Sequence, residues 1–328
     1  MIARRKILVA FGASVVTTPW AFAQRPPAKV PRVTYASGRN GPPDPSADAV
    51  RQGLRELGYV EGKTIHFEAR YFRDKLDRTA ELVAELGQLK ADVFVSATLP
   101  VIRAARQANK DLPIVIISAG DPVQLGLADS LARPGGNITG ISRLTRELSG
   151  KRLELLKEVI PGLARVAVLR DVIDPSPAPG VKEYESAARA LKLQVQLLEI
   201  RPPKPDLEAA FQAAVKGGAS ALVTVRNTFV LGYSRQIAEM AIKHRLPLMC
   251  EGSEEVGAGG LISYSTNDNA SFKRAAIFVD KILKGAKPGD LPIEQAAEFE
   301  LVINMKTAKA IGLAISKDML LRAHRVIE

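Results

Sequence analysis

The feature that most constrains this chain is a regular alternation of two kinds of segment. Short runs rich in β-branched residues, such as residues 113–118, recur between longer segments in which apolar residues repeat every three to four positions, such as residues 46–57. The first pattern predicts buried strands and the second predicts amphipathic helices. Alternation of this kind over a whole chain is typical of parallel sheets with helices on both faces. We therefore expect an α/β fold.

The alternating series breaks near residues 141–147 and then begins again. A chain of 328 residues is longer than one hydrophobic core usually serves. No short sequence repeat accounts for the break, so we expect two lobes of similar Rossmann-like fold. Within this series we expect a helix over residues 123–131 and a single helix over residues 230–244.

The first residues have the layout of a cleaved export signal. Arg4, Arg5 and Lys6 precede a mostly apolar run over residues 7–20, and a small-x-small site ends at Ala23. The apolar run is shorter than the ~20 residues that span a bilayer. We expect cleavage near Ala23, which removes residues 1–23 and leaves a periplasmic protein. The arginine pair leaves both the twin-arginine and the ordinary secretory route open.

The formal charge of +11 would suit a nucleic-acid partner if the cations formed one stripe. They are instead scattered beside acidic residues at helical spacing, as in Lys151, Arg152 and Glu154, which is typical of solvated helix faces. Together with the export signal, this distribution argues against nucleic-acid binding. The single cysteine, Cys250, excludes an internal disulfide.

Residues that could perform catalysis are sparse. The three histidines, His66, His244 and His324, match no local spacing of metal ligands. No Gly-x-Ser-x-Gly motif follows the leader, and Cys250 lies just after a predicted buried strand. We expect no metal, no cofactor and no enzymatic activity.

Polar loops at the carboxyl ends of the predicted strands remain, and ligands of open α/β sheets bind at such loops. The start of a helix near residue 100 could hold a carboxylate with help from the Thr98 hydroxyl, and Asp121 could accept a ligand ammonium. Each candidate could instead cap a helix or lie in a solvated loop. The six candidates are Ser37, Thr98, Leu99, Asp121, Asn227 and Glu251.

Several segments resemble the ABC transporter substrate-binding family of type I periplasmic-binding folds, the branch that includes tryptophan and other aromatic amino-acid binders. The resemblance runs along essentially the whole chain after the leader. Its motifs include QGLRELGYVEGK at 52–63, LARPGGNITG at 131–140, VDKILKGAKP at 279–288 and FELVIN at 299–304.

The resemblance implies two lobes joined by three crossovers, with a solute in the cleft between them. The crossovers would lie near residues 141–144, 263–267 and 297–301. The implied boundaries are 24–143 plus 265–297 for lobe one and 144–264 plus 298–328 for lobe two.

The resemblance also implies a function: a periplasmic receptor that delivers a solute to an ABC permease in the inner membrane. It would bind an amino acid or a related carboxylate, aromatic ones included, by hinge closure, and we expect it to be a monomer. The carboxylate would go to the Thr98 region, with Asp121 and Asn227 in cleft-facing loops. Related aromatic amino-acid binders tend to have Asp-Asn where this chain has Arg226-Asn227, which favours a more anionic solute.

Two alternative functions stay open at this stage. The same cleft would serve a sensor that presents the solute to a receptor, and a secreted α/β enzyme is a further alternative. Whether Arg39 and Arg226 enter the cleft is open as well.

Overall fold

The computed structural model describes residues 29–39, 41–72, 79–88, 90–172 and 178–328. The predicted export signal, residues 1–23, lies outside this part of the chain.

The described strands form two sheets, and we number the elements along the chain. The first sheet has the order β11-β5-β4-β3-β1-β2, and all its pairs are parallel. Its strands are β1 Arg32–Ser37, β2 His66–Tyr71, β3 Val93–Ser96, β4 Ile114–Ser118, β5 Ile138–Ser142 and β11 Glu294–Gln295.

The second sheet has the order β13-β12-β10-β9-β8-β6-β7 and is parallel except for the β10–β12 pair. Its strands are β6 Arg165–Asp171, β7 Gln194–Ile200, β8 Ala221–Thr224, β9 Leu248–Cys250, β10 Ile262–Thr266, β12 Phe299–Asn304 and β13 Arg325–Ile327.

Helices cover both faces of each sheet. We call the first sheet with its helices lobe one and the second sheet with its helices lobe two. The helices of lobe one are α1 Pro45–Glu56, α2 Thr79–Gly87, α3 Leu99–Ala108 and α10 Asp268–Leu283. Those of lobe two are α4 Ser149–Val159, α5 Ala178–Ala190, α6 Leu207–Lys216, α7 Thr228–Gly232, α8 Ser234–Lys243, α9 Ser253–Gly257, α11 Met305–Ile311 and α12 Lys317–Arg322.

The central strand β4 shows why a continuous apolar run suits this architecture. Ile114 and Ile116 pack in the same cluster as Ile102 of α3, whereas Val115 and Ile117 pack on the opposite face with residues of α1 and α10. Alternate side chains therefore enter two different cores, and all four residues of the run are fully buried.

The chain passes between the lobes three times. It leaves β5 through residues 143–148 to α4, leaves β10 through Asn267 to α10, and leaves β11 through residues 296–298 to β12. Helix α10 follows a strand of lobe two yet packs against α1 of lobe one. These three segments lie beside one another at the boundary between the sheets, where Ala296 N–H donates to Ser142 and Asn267 N–H donates to Glu298.

Two of the predicted helices are wrong. Residues 123–131 form turns, because Gly126 takes a positive φ of 68° and the Asp121 carboxylate accepts the Val123 N–H in a local turn. Residues 230–244 are divided between α7 and α8, since Tyr233 between them has non-helical backbone angles (φ −108°, ψ 9°). Short elements near the carboxyl end, including α11, α12 and β13, were not predicted.

Candidate functional site

A cavity of about 110 Å³ lies where the carboxyl ends of strands from both lobes face each other. Lobe one contributes Ser37, Thr98 and Leu99, and lobe two contributes Asn227 and Thr228. The first crossover also lines the cavity, through three further residues: Arg143, Thr145 and Arg146. Four of the six residues predicted from the sequence thus line one cavity, and their role in binding stays a prediction.

Hydrogen bonds tie the loops of lobe one together at the cavity. The Ser96 hydroxyl donates to Ala36 O (2.7 Å) and accepts the Thr98 N–H (3.1 Å). The Thr98 hydroxyl accepts the Gly38 N–H at 3.0 Å and makes no capping bond to α3, although Thr98 occupies the N-cap position. This hydroxyl therefore fixes the loop after β1 against the loop after β3 rather than capping the helix.

Asn227 has a comparable place in lobe two. Its side-chain oxygen accepts the Val230 N–H (2.8 Å) and caps α7, and its amide nitrogen donates to the Asp171 carboxylate (3.1 Å). The side chain is thus held between the end of β6 and the start of α7 while it lines the cavity.

The lobes approach each other closely at Gly38. A Cβ atom at this position would lie 2.9 Å from both Thr228 Oγ1 and Thr98 Cγ2. Such distances are shorter than van der Waals contact, so a residue without a side chain is needed for the two loops to meet in this arrangement.

Four arginines line the cavity: Arg39, Arg143, Arg146 and Arg226. Arg39 donates across the cleft to Glu254 of α9 (2.6 Å). Arg143 and Arg226 donate to the two carboxylate oxygens of Asp268, at 2.6 and 2.5 Å. Asp268 therefore joins the first crossover and lobe two to the first turn of α10.

The electrostatics of this cluster follow from its burial and from its charges. Burial alone would raise the pKa of the Asp268 carboxyl, but the guanidinium groups of Arg226 and Arg143 outweigh it and hold that pKa well below its usual range. Burial opposes the charge of Arg226, yet Asp268 and the neighbouring glutamates raise the pKa of Arg226 above its ordinary value. Both groups stay ionised in this arrangement.

The sequence model of a family described as ABC transporter substrate binding protein matches residues 44–327. The chain belongs to this family. The resemblance inferred from the sequence and the expected α/β fold of two Rossmann-like lobes are confirmed.

Individual relatives of this substrate-binding protein are identical to it at about a quarter of the aligned residues. It is 24% identical over 273 residues to a tyrosine-binding protein of Clostridioides difficile (strain R20291), which covers 82% of this chain and 78% of that protein. A conserved domain protein of Vibrio cholerae superposes with a TM-score of 0.81 at 26% identity, covering 91% of this chain and all of that one. A Streptococcus ABC domain in complex with L-Trp superposes with a TM-score of 0.79 at 22% identity, covering 90% and 99%.

The structure does not bring the other two candidates of this substrate-binding protein, Asp121 and Glu251, to the cavity lining. The Asp121 carboxylate accepts the Val123 N–H (2.8 Å) in its own turn. Glu251 is 2% exposed and accepts hydrogen bonds from Arg152 (3.2 Å) and Tyr184 (3.0 Å). Its other oxygen accepts the backbone N–H of Arg226 (2.8 Å), so Glu251 fixes the backbone of Arg226 from outside the cavity lining.

The fully buried Arg152 links Glu251 to the crossover region by hydrogen bonds. Besides Glu251 it donates to Thr145 O in the first crossover (2.6 Å) and to Tyr264 O in β10 (2.8 Å). The sequence reasoning took Arg152 for part of a solvated helix face, and the structure overturns that reading. Arg152 follows the periodicity of the buried side of α4, whose neighbouring residues Leu153 and Leu156 are buried.

Sequence reasoning missed Arg143, Arg146 and Asp268. All three lie in or next to the crossovers, which were predicted near residues 141–144 and 263–267. The available signal was their position: the crossovers leave the carboxyl ends of strands, which is the same edge of the sheet that carried the other candidates.

Two observations concern nucleophile and metal chemistry in the described part of this substrate-binding protein. Burial raises the pKa of the Cys250 thiol well above its ordinary value, so the thiol stays protonated. Across residues 29–39, 41–72, 79–88, 90–172 and 178–328 there is no cluster of three His, Cys, Asp or Glu residues placed to hold a metal. In the same residues no helix has the length and apolarity to cross a membrane.

Proposed function

We propose that this substrate-binding protein is the solute receptor of an ABC importer and works in the periplasm. Its solute is a small molecule with a carboxylate group, an amino acid or a related acid. The observation that carries this proposal is the cavity between the lobes, whose described lining includes four arginines. Guanidinium groups bind carboxylates with charge-assisted and often paired hydrogen bonds. The tyrosine- and tryptophan-binding relatives support a solute of amino-acid size.

Binding works by closure of the lobes about the three crossovers. Residues of both lobes line the cavity, so a solute held there is enclosed only while the lobes face each other. The Arg39–Glu254 ion pair and the Gly38–Thr228 approach are contacts across the cleft that closure makes. Removal of water from the cavity strengthens the ion pairs with the solute. No covalent bond changes, and the closed protein then docks on the permease as a monomer.

The proposal is tested with residues 24–328, refolded from denaturant to remove any solute that co-purifies. Thermal unfolding is followed with amino acids, aromatic acids, other carboxylates, nucleosides and sugars. A solute at 100 times its Kd adds about 2.7 kcal/mol and raises the Tm by several degrees. Denatured supernatant of the native protein is analysed by mass spectrometry in parallel.

The variants Thr98→Ala and Asp121→Ala form a matched pair. Thr98→Ala removes the hydroxyl that holds Gly38 at the cavity, and we expect the affinity for the solute to fall about tenfold. Asp121→Ala changes a residue outside the cavity lining and should leave the affinity unchanged. Equal affinities of the two variants would contradict this site. Failure to bind or to release any solute would contradict the receptor function.

A further inference from the structure

The charged side chains of the described cavity lining all carry positive charge. Among the described residues that line it there are four arginines and no aspartate, glutamate or lysine. The acids that pair with Arg39, Arg143 and Arg226 do not belong to the lining: Asp44, Glu254, Glu255 and Asp268. A solute therefore meets cationic donors first, and the compensating carboxylates lie behind them.

From this arrangement we infer that the solute is a carboxylate anion without a free ammonium group, such as an aromatic or aliphatic oxo-, hydroxy- or simple carboxylic acid, and that the cavity discriminates against the corresponding α-amino acid. The inference rests on the proposed function. It narrows the substrate class from carboxylates in general to those that carry no cation.

The reason is the cost of burying an ammonium group. A buried ammonium needs a carboxylate or several free acceptors within hydrogen-bond distance. The described lining carries no anionic acceptor, and its polar side chains other than the arginines are neutral. Two of them already accept a hydrogen bond: the Thr98 hydroxyl from Gly38 N–H and the Asn227 side-chain oxygen from Val230 N–H. An ammonium in this cavity would also face like charges at short range, which disfavours it further.

One of the arginines, Arg143, has a buried donor without an acceptor among the described residues. Arg143 and Arg226 share the single carboxylate of Asp268, one oxygen each. Arg143 is 6% exposed, and its Nε–H is buried with no acceptor among the described residues. An anionic oxygen brought in by a solute would supply the acceptor that this group lacks, because a buried donor without a partner is unfavourable.

Arg146 is placed by a glycine. A Cβ atom at Gly120 would lie 2.5 Å from Nη1 of Arg146, so the guanidinium lies over the loop after β4 only because residue 120 has no side chain. The variant Gly120→Ala would displace this cation from its present position without removing its charge.

The test compares matched pairs of solutes that differ in the ammonium group: phenylalanine with phenyllactate and phenylpyruvate, tryptophan with indole-3-lactate, and aspartate with malate and succinate. Affinities are measured by calorimetry on refolded residues 24–328. In the pair whose side chain fits, we expect the acid without the ammonium to bind at least tenfold more tightly. The solute released from native protein should likewise lack an ammonium group.

Two variants test whether the Arg146 guanidinium contributes to binding of the acid. Arg146→Met and Gly120→Ala should both weaken binding of the acid and reduce its preference over the amino acid. Arg103→Met, which changes an exposed arginine of α3 outside the lining, is the control and should bind as the parent does. Retained folding is checked by circular dichroism and Tm. If Arg146→Met fails to fold, Gly120→Ala still tests the proposal, because it displaces the same guanidinium without removing its charge.

The outcomes separate the two proposals. If an amino acid binds as tightly as its deaminated partner, or is the solute released from native protein, the inference is overturned and the receptor function stands. A bound sugar or nucleoside overturns the inference as well. If no solute binds and none is released, both proposals fail.

Discussion

At the scale of single residues, the buried Glu255 lies beside Arg226 of the cavity lining. It is 3% exposed, one carboxyl oxygen bonds to the Thr224 hydroxyl at 2.8 Å, and the other has no hydrogen-bond partner among the described residues. Burial raises the pKa of Glu255 to about 7, in spite of the opposing charge of Arg226. The side chain therefore takes up a proton on folding over a range in which an exposed glutamate is ionised.

The pH dependence follows from this shift. Below pH 4.5, the ordinary glutamate value, Glu255 is protonated in both states and makes no difference to stability. As the pH rises from there to about 7, the unfolded state ionises first, so the free energy of unfolding falls. The loss is on the order of 3 kcal/mol once the pH exceeds the folded-state pKa.

Replacement of the carboxyl by an amide tests this effect. Glu255→Gln should be more stable relative to the parent at pH 8 than at pH 5, measured as urea midpoints at both values. Glu61→Gln, in an exposed pair with Arg51, should show no such change. A stability difference between Glu255→Gln and the parent that is independent of pH would rule out the raised pKa.

At the scale of elements, the return of α10 to lobe one depends on Gly53 in α1. A Cβ atom there would lie 2.4 Å from Lys273 O and 2.7 Å from Ala276 Cβ of α10. Two effects of Gly53→Ala compete: alanine stabilises a helix by about 1 kcal/mol relative to glycine, whereas overpacking typically costs about 1–3 kcal/mol. The contact with a backbone oxygen cannot relax by a side-chain rotation, so the overpacking effect is the larger.

We therefore expect Gly53→Ala to destabilise the protein by about 1–2 kcal/mol. Gly150→Ala in α4 is the matched control, since its Cβ would meet Ala187 Cβ at an ordinary 3.8 Å. That variant should be as stable as the parent or slightly more so. Urea unfolding measures both, and a stabilised Gly53→Ala would show that the α1–α10 contact yields without penalty.

At the scale of the whole molecule, ion pairs join segments that are remote in sequence. Arg39 and Glu254 pair across the cleft, with 22% and 39% of their side chains exposed. An exposed pair of this kind contributes ~0.5–1 kcal/mol. Loss of that contribution changes the ratio of closed to open molecules about two- to fivefold.

Glu254→Gln should accordingly increase the population of open molecules when no solute is bound. Small-angle scattering should show a larger radius of gyration than in the parent, and the difference should shrink in high salt because salt screens the parent's ion pair. Glu61→Gln removes an ion pair within lobe one and should leave the radius unchanged. Identical radii for Glu254→Gln and the parent would contradict a closing role of this pair.

Much of the architecture could be predicted from the sequence. Periodicity located β4, α1 and most other elements to within a few residues, because burial of alternate or every third to fourth residue leaves a local record. It failed at residues 123–131, where the pattern resembles a helix but Gly126 and the Asp121 turn give another backbone. The rule for strand ends placed Ser37, Thr98, Leu99 and Asn227 at one cavity for the same local reason.

The sequence by itself therefore determined the α/β class, the family and four of the residues that line the cavity. Only the tertiary structure decided the charge of the site. The Arg143–Asp268 pair joins residues 125 positions apart, and Arg39 and Glu254 lie 215 positions apart. Which cations face the cavity, and which acids lie behind them, depends on how the two sheets face each other across the crossovers, and no local spacing encodes that arrangement.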